Sequence, residues 1–214
     1  MPVYYAQQSP FLGIWKILEP WQDMLEMFQD KMLYADEVLK IKSEKRKCEW
    51  LAIRLLLKHL TGFEIPVGYK DNGSPFLIGS HFHISISHTK GYAALILSKN
   101  PNPGIDIEYR SERALKLCTK FLNRIELEHL NLLHQNHKPD LNPETLATLC
   151  WCAKETVFKA LQENEVDFIQ HFHVAPFIFS AQGAVCLKET KTHRQETYPI
   201  HYQVTDEFVI TWKE

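Results

Sequence analysis

The chain has 214 residues with 45% hydrophobic and 23% charged side chains, enough to bury a core as one domain or two small lobes. A net charge of −2 argues against general nucleic-acid binding, which needs a strongly basic face. No apolar run is long enough to span a bilayer, and the Met1-Pro2-Val3-Tyr4-Tyr5 start does not read as a signal peptide. Five cysteines, an odd number without framework spacing, predict reduced thiols in a cytoplasmic protein.

Residues 3–8 and 11–18 read as strands broken at Gln7-Gln8-Ser9-Pro10. Pro20 opens a short helix with Trp21, Met24, Leu25 and Phe28 on one face. A long helix follows over about 43–61 and ends at Gly62. Its apolar side carries Trp50, Leu51, Leu55 and Leu60, and its head is basic: Lys42, Lys45, Arg46 and Lys47, then Arg54 deeper in the helix. Lys70-Asp71-Asn72-Gly73-Ser74-Pro75 is a turn reversed by Asn-Gly. Ile84 and Ile86 alternate with Ser85 and Ser87, which predicts a half-buried strand arriving at a turn near His88. Gly91 to Ser98 is another strand, and Asn100-Pro101-Asn102-Pro103 looks like a lobe boundary.

In the strand Gly104-Ile105-Asp106-Ile107-Glu108 the isoleucines face one way and the two carboxylates the other. Carboxylates on one strand face repel unless solvent or a cation separates them. A helix over 123–134 would be capped by Asn123, with Glu126 three residues on. A polar loop fills 135–142. Asn142 and Pro143 then open a helix whose apolar positions (Leu146, Leu149, Cys150, Ala153, Val157, Leu161) recur at helical spacing. Apolar nearly all round, it should be largely buried. Cys150 and Cys152 lie on different helix faces and read as small packing residues. Glu155 and Lys159, four apart, share a face; alone they read as a surface ion pair. Were Glu155 to join Asp106 and Glu108, the three would form an all-oxygen site for a hard cation such as Mg²⁺. Strands are expected over Phe172–Phe179, Ala184–Lys188, Tyr198–Val204 and Phe208–Trp212, with a turn at Gln182-Gly183.

Gly-Ile-Asp-Ile-Glu, followed far downstream by Trp151-x-x-Lys154-Glu155-x-x-x-Lys159, resembles the signature of the 4′-phosphopantetheinyl transferase superfamily. Other blocks are similar to the family in the same order. Lys45 to Arg54 resembles its Lys/Arg-rich helix, Lys70 to Pro75 its Gly-Lys-Pro loop, and His83 to Thr89 its Phe-Asn-Ile-Ser-His-Ser strand. Lys120 to Glu126 resembles its Phe-Phe-Ser-x-x-Glu segment. Ser74 stands where the family has lysine, and Lys70 is the candidate substitute. After the signature helix the family continues Gly-x-Gly-Leu. Here Leu161-Gln162-Glu163-Asn164 has neither glycine, so that turn is expected to differ.

The resemblance implies transfer of the 4′-phosphopantetheine arm from coenzyme A to a serine of an apo acyl or peptidyl carrier protein, releasing adenosine 3′,5′-bisphosphate. It implies that Asp106, Glu108 and Glu155 hold Mg²⁺, that Glu155 accepts the serine proton, and that Lys159 meets the diphosphate. It further implies that Lys45, Lys70, Gly73, Ser74, Ser87 and His88 bind coenzyme A; Lys154 is left between phosphate binding and surface cover. The alternatives are a coenzyme A- or carrier-binding homologue without transfer, and an unrelated metal-dependent phosphohydrolase. The fold class expected is α+β: two similar lobes in pseudo-two-fold arrangement, each a mainly antiparallel sheet on a long helix. The lobes would be 1–101, on the nucleotide side, and 102–214, carrying the carboxylates. The length matches the two-lobed monomeric branch, typified by enzymes of surfactin and enterobactin synthesis, and a monomer with no nucleic-acid or membrane partner is expected.

Overall fold

The computed structural model describes residues 3–8, 11–136 and 141–214. The expected break at Ser9-Pro10 and the middle of the 135–142 loop lie outside them. The fold is mixed α and β with antiparallel sheets, and the chain divides into two compact units, Met1–Pro103 with Glu214 and Gly104–Lys213.

The first unit holds β1 (Val3–Gln8), β2 (Phe11–Lys16), α1 (Trp21–Leu25), α2 (Lys31–Lys40), α3 (Glu44–Thr61), β3 (Val67–Tyr69), β4 (Pro75–Leu77), β5 (His83–Thr89) and β6 (Tyr92–Ser98). Its four-stranded sheet runs β1-β2-β6-β5, antiparallel throughout, and β3 and β4 form a separate hairpin. Ser43 caps α3 by accepting the Arg46 N–H, and Gly62 ends it in the left-handed conformation (φ 79°) that glycine adopts without steric cost. Helix α3 packs on β2 and β6, and Leu51, Leu55, Leu56 and Leu60 join Trp15, Leu95 and Leu97 in one core. In β5 the burial is fuller than alternation predicts: Ser85 and Ser87 are buried as well as Ile84. The short helix α2 has no counterpart in the sequence reading. Asp30 caps it, but only Tyr34 and Val38 are buried, so its apolar periodicity is weak.

The second unit holds β7 (Gly104–Tyr109), α4 (Glu112–Leu117), a single 3₁₀ turn (Cys118–Lys120), α5 (Arg124–Asn136), α6 (Pro143–Leu161), α7 (Phe168–His171), β8 (Phe172–Val174), β9 (Gln182–Glu189), β10 (Thr197–Val204) and β11 (Phe208–Lys213). Its five-stranded antiparallel sheet runs β7-β11-β10-β9-β8. Helix α6 crosses this sheet with Leu146, Leu149, Cys150, Ala153 and Val157 fully covered, as its apolar pattern predicts. Asn142 takes the cap position without a side-chain cap bond, and Pro143 follows at the first turn. At the start of α5, the Asn123 N–H donates to Glu126 Oε2 (2.7 Å) and Asn123 Oδ1 accepts the Glu126 N–H (3.0 Å), a reciprocal capping box.

Two strand expectations change. The expected strand Phe172–Phe179 stops at Val174: Ala175 still donates to Cys186, but Pro176 has no N–H with which to extend the ladder. Gln182-Gly183 is not a turn but the first step of β9. Gly183 pairs with Tyr202, and a Cβ there would lie 3.2 Å from the Tyr202 hydroxyl. The glycine serves close packing, not reversal.

Candidate active site

In the second unit, β7 and α6 approach closely because residue 104 is glycine. A Cβ on Gly104 would lie 2.2 Å from the Thr156 carbonyl oxygen, closer than any side chain tolerates. That approach sets Asp106, two residues along β7, against Lys159, one turn along α6 from Thr156. Lys159 Nζ donates to Asp106 Oδ1 at 2.7 Å and to the Ile105 carbonyl at 3.0 Å. Two of its three N–H bonds are used. Glu155 stands one turn before Lys159 on α6. Its carboxyl is pushed up to about 7, first by burial, then by the negative charge of Asp106; Glu108 adds to this and Lys159 opposes it. Trp151, a further turn back, donates its indole N–H to Glu108 Oε1 at 3.2 Å. Beside this bond lies a pocket lined also by Tyr109, Arg113, Leu117 and Phe121.

Asp106, Glu108, Glu155 and Lys159 thus form one electrostatic group. Fully ionised, three carboxylates and one ammonium would carry an excess of two negative charges. A divalent cation would balance that excess, and the donors are all oxygen, as a hard cation requires. On these grounds the residues fit Mg²⁺. Among the described residues no group of three His, Cys, Asp or Glu side chains is already arranged around a metal position. Asp106 Oδ1 points at Lys159 and Glu108 Oε1 at Trp151 instead.

Lys154, left open by the sequence, is fully buried and donates to the Phe121 carbonyl (2.7 Å), Glu126 Oε2 (2.8 Å) and the Phe168 carbonyl (3.1 Å). All three N–H bonds are spent within the fold, so it neither binds phosphate nor covers surface. Burial pushes the Cys150 thiol up to about 12 and that of Cys152 well above its ordinary value, so both stay protonated packing groups. All five cysteines are free.

The other expected residues lie in the first unit. Lys45 is exposed on the first turn of α3. Lys70, Gly73 and Ser74 stand on the β3–β4 turn, where Gly73 has φ 80° and Ser74 bonds Asn72 through both its N–H and its hydroxyl. Ser87 is buried and His88 partly exposed on β5. His88 faces Arg46, and both converge on the buried carboxylate of Glu49. Sequence reasoning passed over Glu49, Arg46 and Trp151 as site residues. Their signal was helical spacing: Lys45 and Arg46 stand four and three residues before Glu49, and Trp151 four before Glu155. Arg54 is buried, donates to the Trp50 carbonyl and stacks on the Trp50 ring 3.3 Å from its centroid.

Among the described residues no helix is long and apolar enough to cross a membrane. A search of curated proteins finds no match to the chain. A family model, that of the 4′-phosphopantetheinyl transferase superfamily, matches residues 102–213, just over half the sequence. The match spans β7 and α6, and so takes in Asp106, Glu108, Lys154, Glu155 and Lys159; Lys45, Lys70, Gly73, Ser74, Ser87 and His88 fall outside it. The chain belongs to the 4′-phosphopantetheinyl transferase superfamily.

Proposed function

We propose that this protein moves the 4′-phosphopantetheine arm of coenzyme A onto a serine of an apo acyl or peptidyl carrier protein, as a monomer of the two-lobed branch. The observation that carries the proposal is the grouping on α6 and β7: a half-buried Glu155 beside Asp106 and Glu108, with Lys159 on the same helix face. Family membership supports the reaction class. The five free thiols suit a cytoplasmic setting.

The reaction is a phosphoryl transfer, in which protein groups chiefly position reactants and offset charge. The serine oxygen forms a bond to the phosphorus next to pantetheine, and the bond from that phosphorus to the bridging oxygen breaks. Adenosine 3′,5′-bisphosphate leaves. Asp106, Glu108 and Glu155 would hold Mg²⁺, which when bound supplies positive charge to the diphosphate. Glu155 takes the serine proton, directly or through water. In the metal-free protein, burial and like charge raise this carboxyl and make it a stronger base than an exposed glutamate, and a bound cation would act in the opposite direction. Lys159 keeps one N–H beyond those given to Asp106 and Ile105, and directs it to an oxygen of the departing bisphosphate. In the first unit, Lys45, Lys70, Gly73, Ser74, Ser87 and His88 are proposed to bind the nucleotide end. The first unit would be the nucleotide side and the second the carboxylate side.

Mass spectrometry of candidate apo carriers, incubated with the protein, coenzyme A and Mg²⁺, tests the proposal. A gain equal to one phosphopantetheine arm is the expected result. Coenzyme A binding without any gain would make the chain a binder. Phosphate release without a carrier would make it a hydrolase.

A further inference from the structure

Glu49 is a buried carboxylate with an unusual set of neighbours. It lies on the second turn of α3 at 4% exposure. Arg46 Nη1 donates to its Oε2 at 3.0 Å, and His88 Nδ1 lies 3.5 Å from the same oxygen. Lys45 Nζ lies 3.5 Å from Oε1, and that buried oxygen accepts no hydrogen bond. The cations are far more exposed than the carboxylate: the side chains of Lys45 and Arg46 are 69% and 55% exposed and that of His88 36%. Arg46 also meets His88 Nε2. Glu126 in the second unit shows what a structural buried carboxylate looks like. It takes backbone N–H bonds from Asn123 and Val174 and a fully buried lysine. Glu49 has none of these. It sits beneath a set of exposed basic side chains and draws them together.

We infer that Glu49 is a positioning residue for coenzyme A: it holds Arg46 and His88 side by side so that they receive one phosphate group of the nucleotide. The inference rests on the transferase reading above. Two flexible or freely rotating side chains would each lose rotamer freedom on meeting a phosphate. A buried carboxylate that both already face removes that cost before the ligand arrives. It also keeps two basic groups adjacent that would otherwise separate by repulsion whenever the imidazole is charged. Its own charge leaves the cluster cationic, because Lys45 and Arg46 together outweigh it.

The test is isothermal titration of the full chain with coenzyme A and with adenosine 3′,5′-bisphosphate, for wild type, Glu49→Gln, Arg46→Ala and the double variant. Glu49→Gln is expected to bind both ligands about tenfold more weakly. Its thermal melting temperature should be unchanged or higher, since an incompletely bonded buried charge is removed. In transfer assays KM for coenzyme A should rise while kcat holds. The double variant should lose clearly less affinity than the two single losses combined, because Glu49 acts in part through Arg46 and only its hold on His88 is left to lose. Should Glu49→Gln fail to fold, Glu49→Asp replaces it: the charge stays but withdraws by one methylene, and a smaller loss in the same direction is expected. Equal affinity of wild type and the Glu49 variant, or additive losses in the double variant, would overturn the inference. Failure of wild type to bind coenzyme A at all would instead sink the transferase reading.

Discussion

Lys154 and Glu155 are consecutive on α6 yet end in opposite electrostatic situations. Lys154 is sealed in with Glu126, and their polar atoms are partnered by each other and by the backbone of Phe121, Asn123, Phe168 and Val174. Burial lowers the Lys154 pKa and Glu126 pulls it back up. One residue along, Glu155 is half-buried beside two more carboxylates with a single lysine among them, and its pKa rises. The first region balances charge and so holds three segments of the chain on the helix. The second leaves charge unbalanced and so favours a cation and a proton. Balanced buried ions specify structure, and unbalanced ones are where chemistry is found.

The contrast can be broken in order of expected effect. Lys154→Met should destabilise the fold by about 3–5 kcal/mol in chemical denaturation, because it strands the Glu126 charge. Adding Glu126→Gln should recover part of that loss. If Lys154→Met instead kept full stability and lost only transfer, the structural reading of that pair would fail. Glu155→Gln should do the reverse: transfer at saturating Mg²⁺ falls by about a hundred- to a thousandfold, while denaturation shows no loss. Near-normal turnover would remove Glu155 from the proton step. Lys159→Met should lower kcat about tenfold or more, with a lesser change in coenzyme A binding. An equal fall in both would make Lys159 a plain phosphate anchor. Trp151→Phe keeps the ring among Phe121 and Phe168 but loses the bond to Glu108. It should cost about 1 kcal/mol of stability and weaken Mg²⁺ binding, read by calorimetry, by a few fold; unchanged Mg²⁺ affinity would show that Glu108 needs no such tether. Smallest of all, Gln162→Gly should raise stability by about 0.5–1 kcal/mol, since Gln162 ends α6 at φ 55°, a conformation that glycine takes more easily.

That last position shows what the sequence allowed and what it hid. The absence of glycine after Leu161 suggested a different turn. In the structure α6 ends in the left-handed conformation, with glutamine at that position. Helix α6 was legible because Pro143 and a run of apolar residues at helical spacing make a strong local signal. The facing of Asp106 and Glu108 was legible from strand alternation. The Asn123–Glu126 box was legible too, but not the arrival of Lys154 on the same carboxylate, which spans distant positions in sequence and depends on packing. Helices α2 and α4 escaped because they bury little: α4 has no buried residue, so no apolar period marks it. The role of Glu49 was hidden among basic neighbours that read as a solvated helix face.

Gly104 carries neither charge nor proton, yet it regulates the distance across which the acidic group operates. A single methyl there would act as a wedge, prying strand from helix and carrying Asp106 off Lys159. An inactive enzyme could therefore arise with every acidic and basic side chain still in place, its fault lying in a gap too wide to bridge.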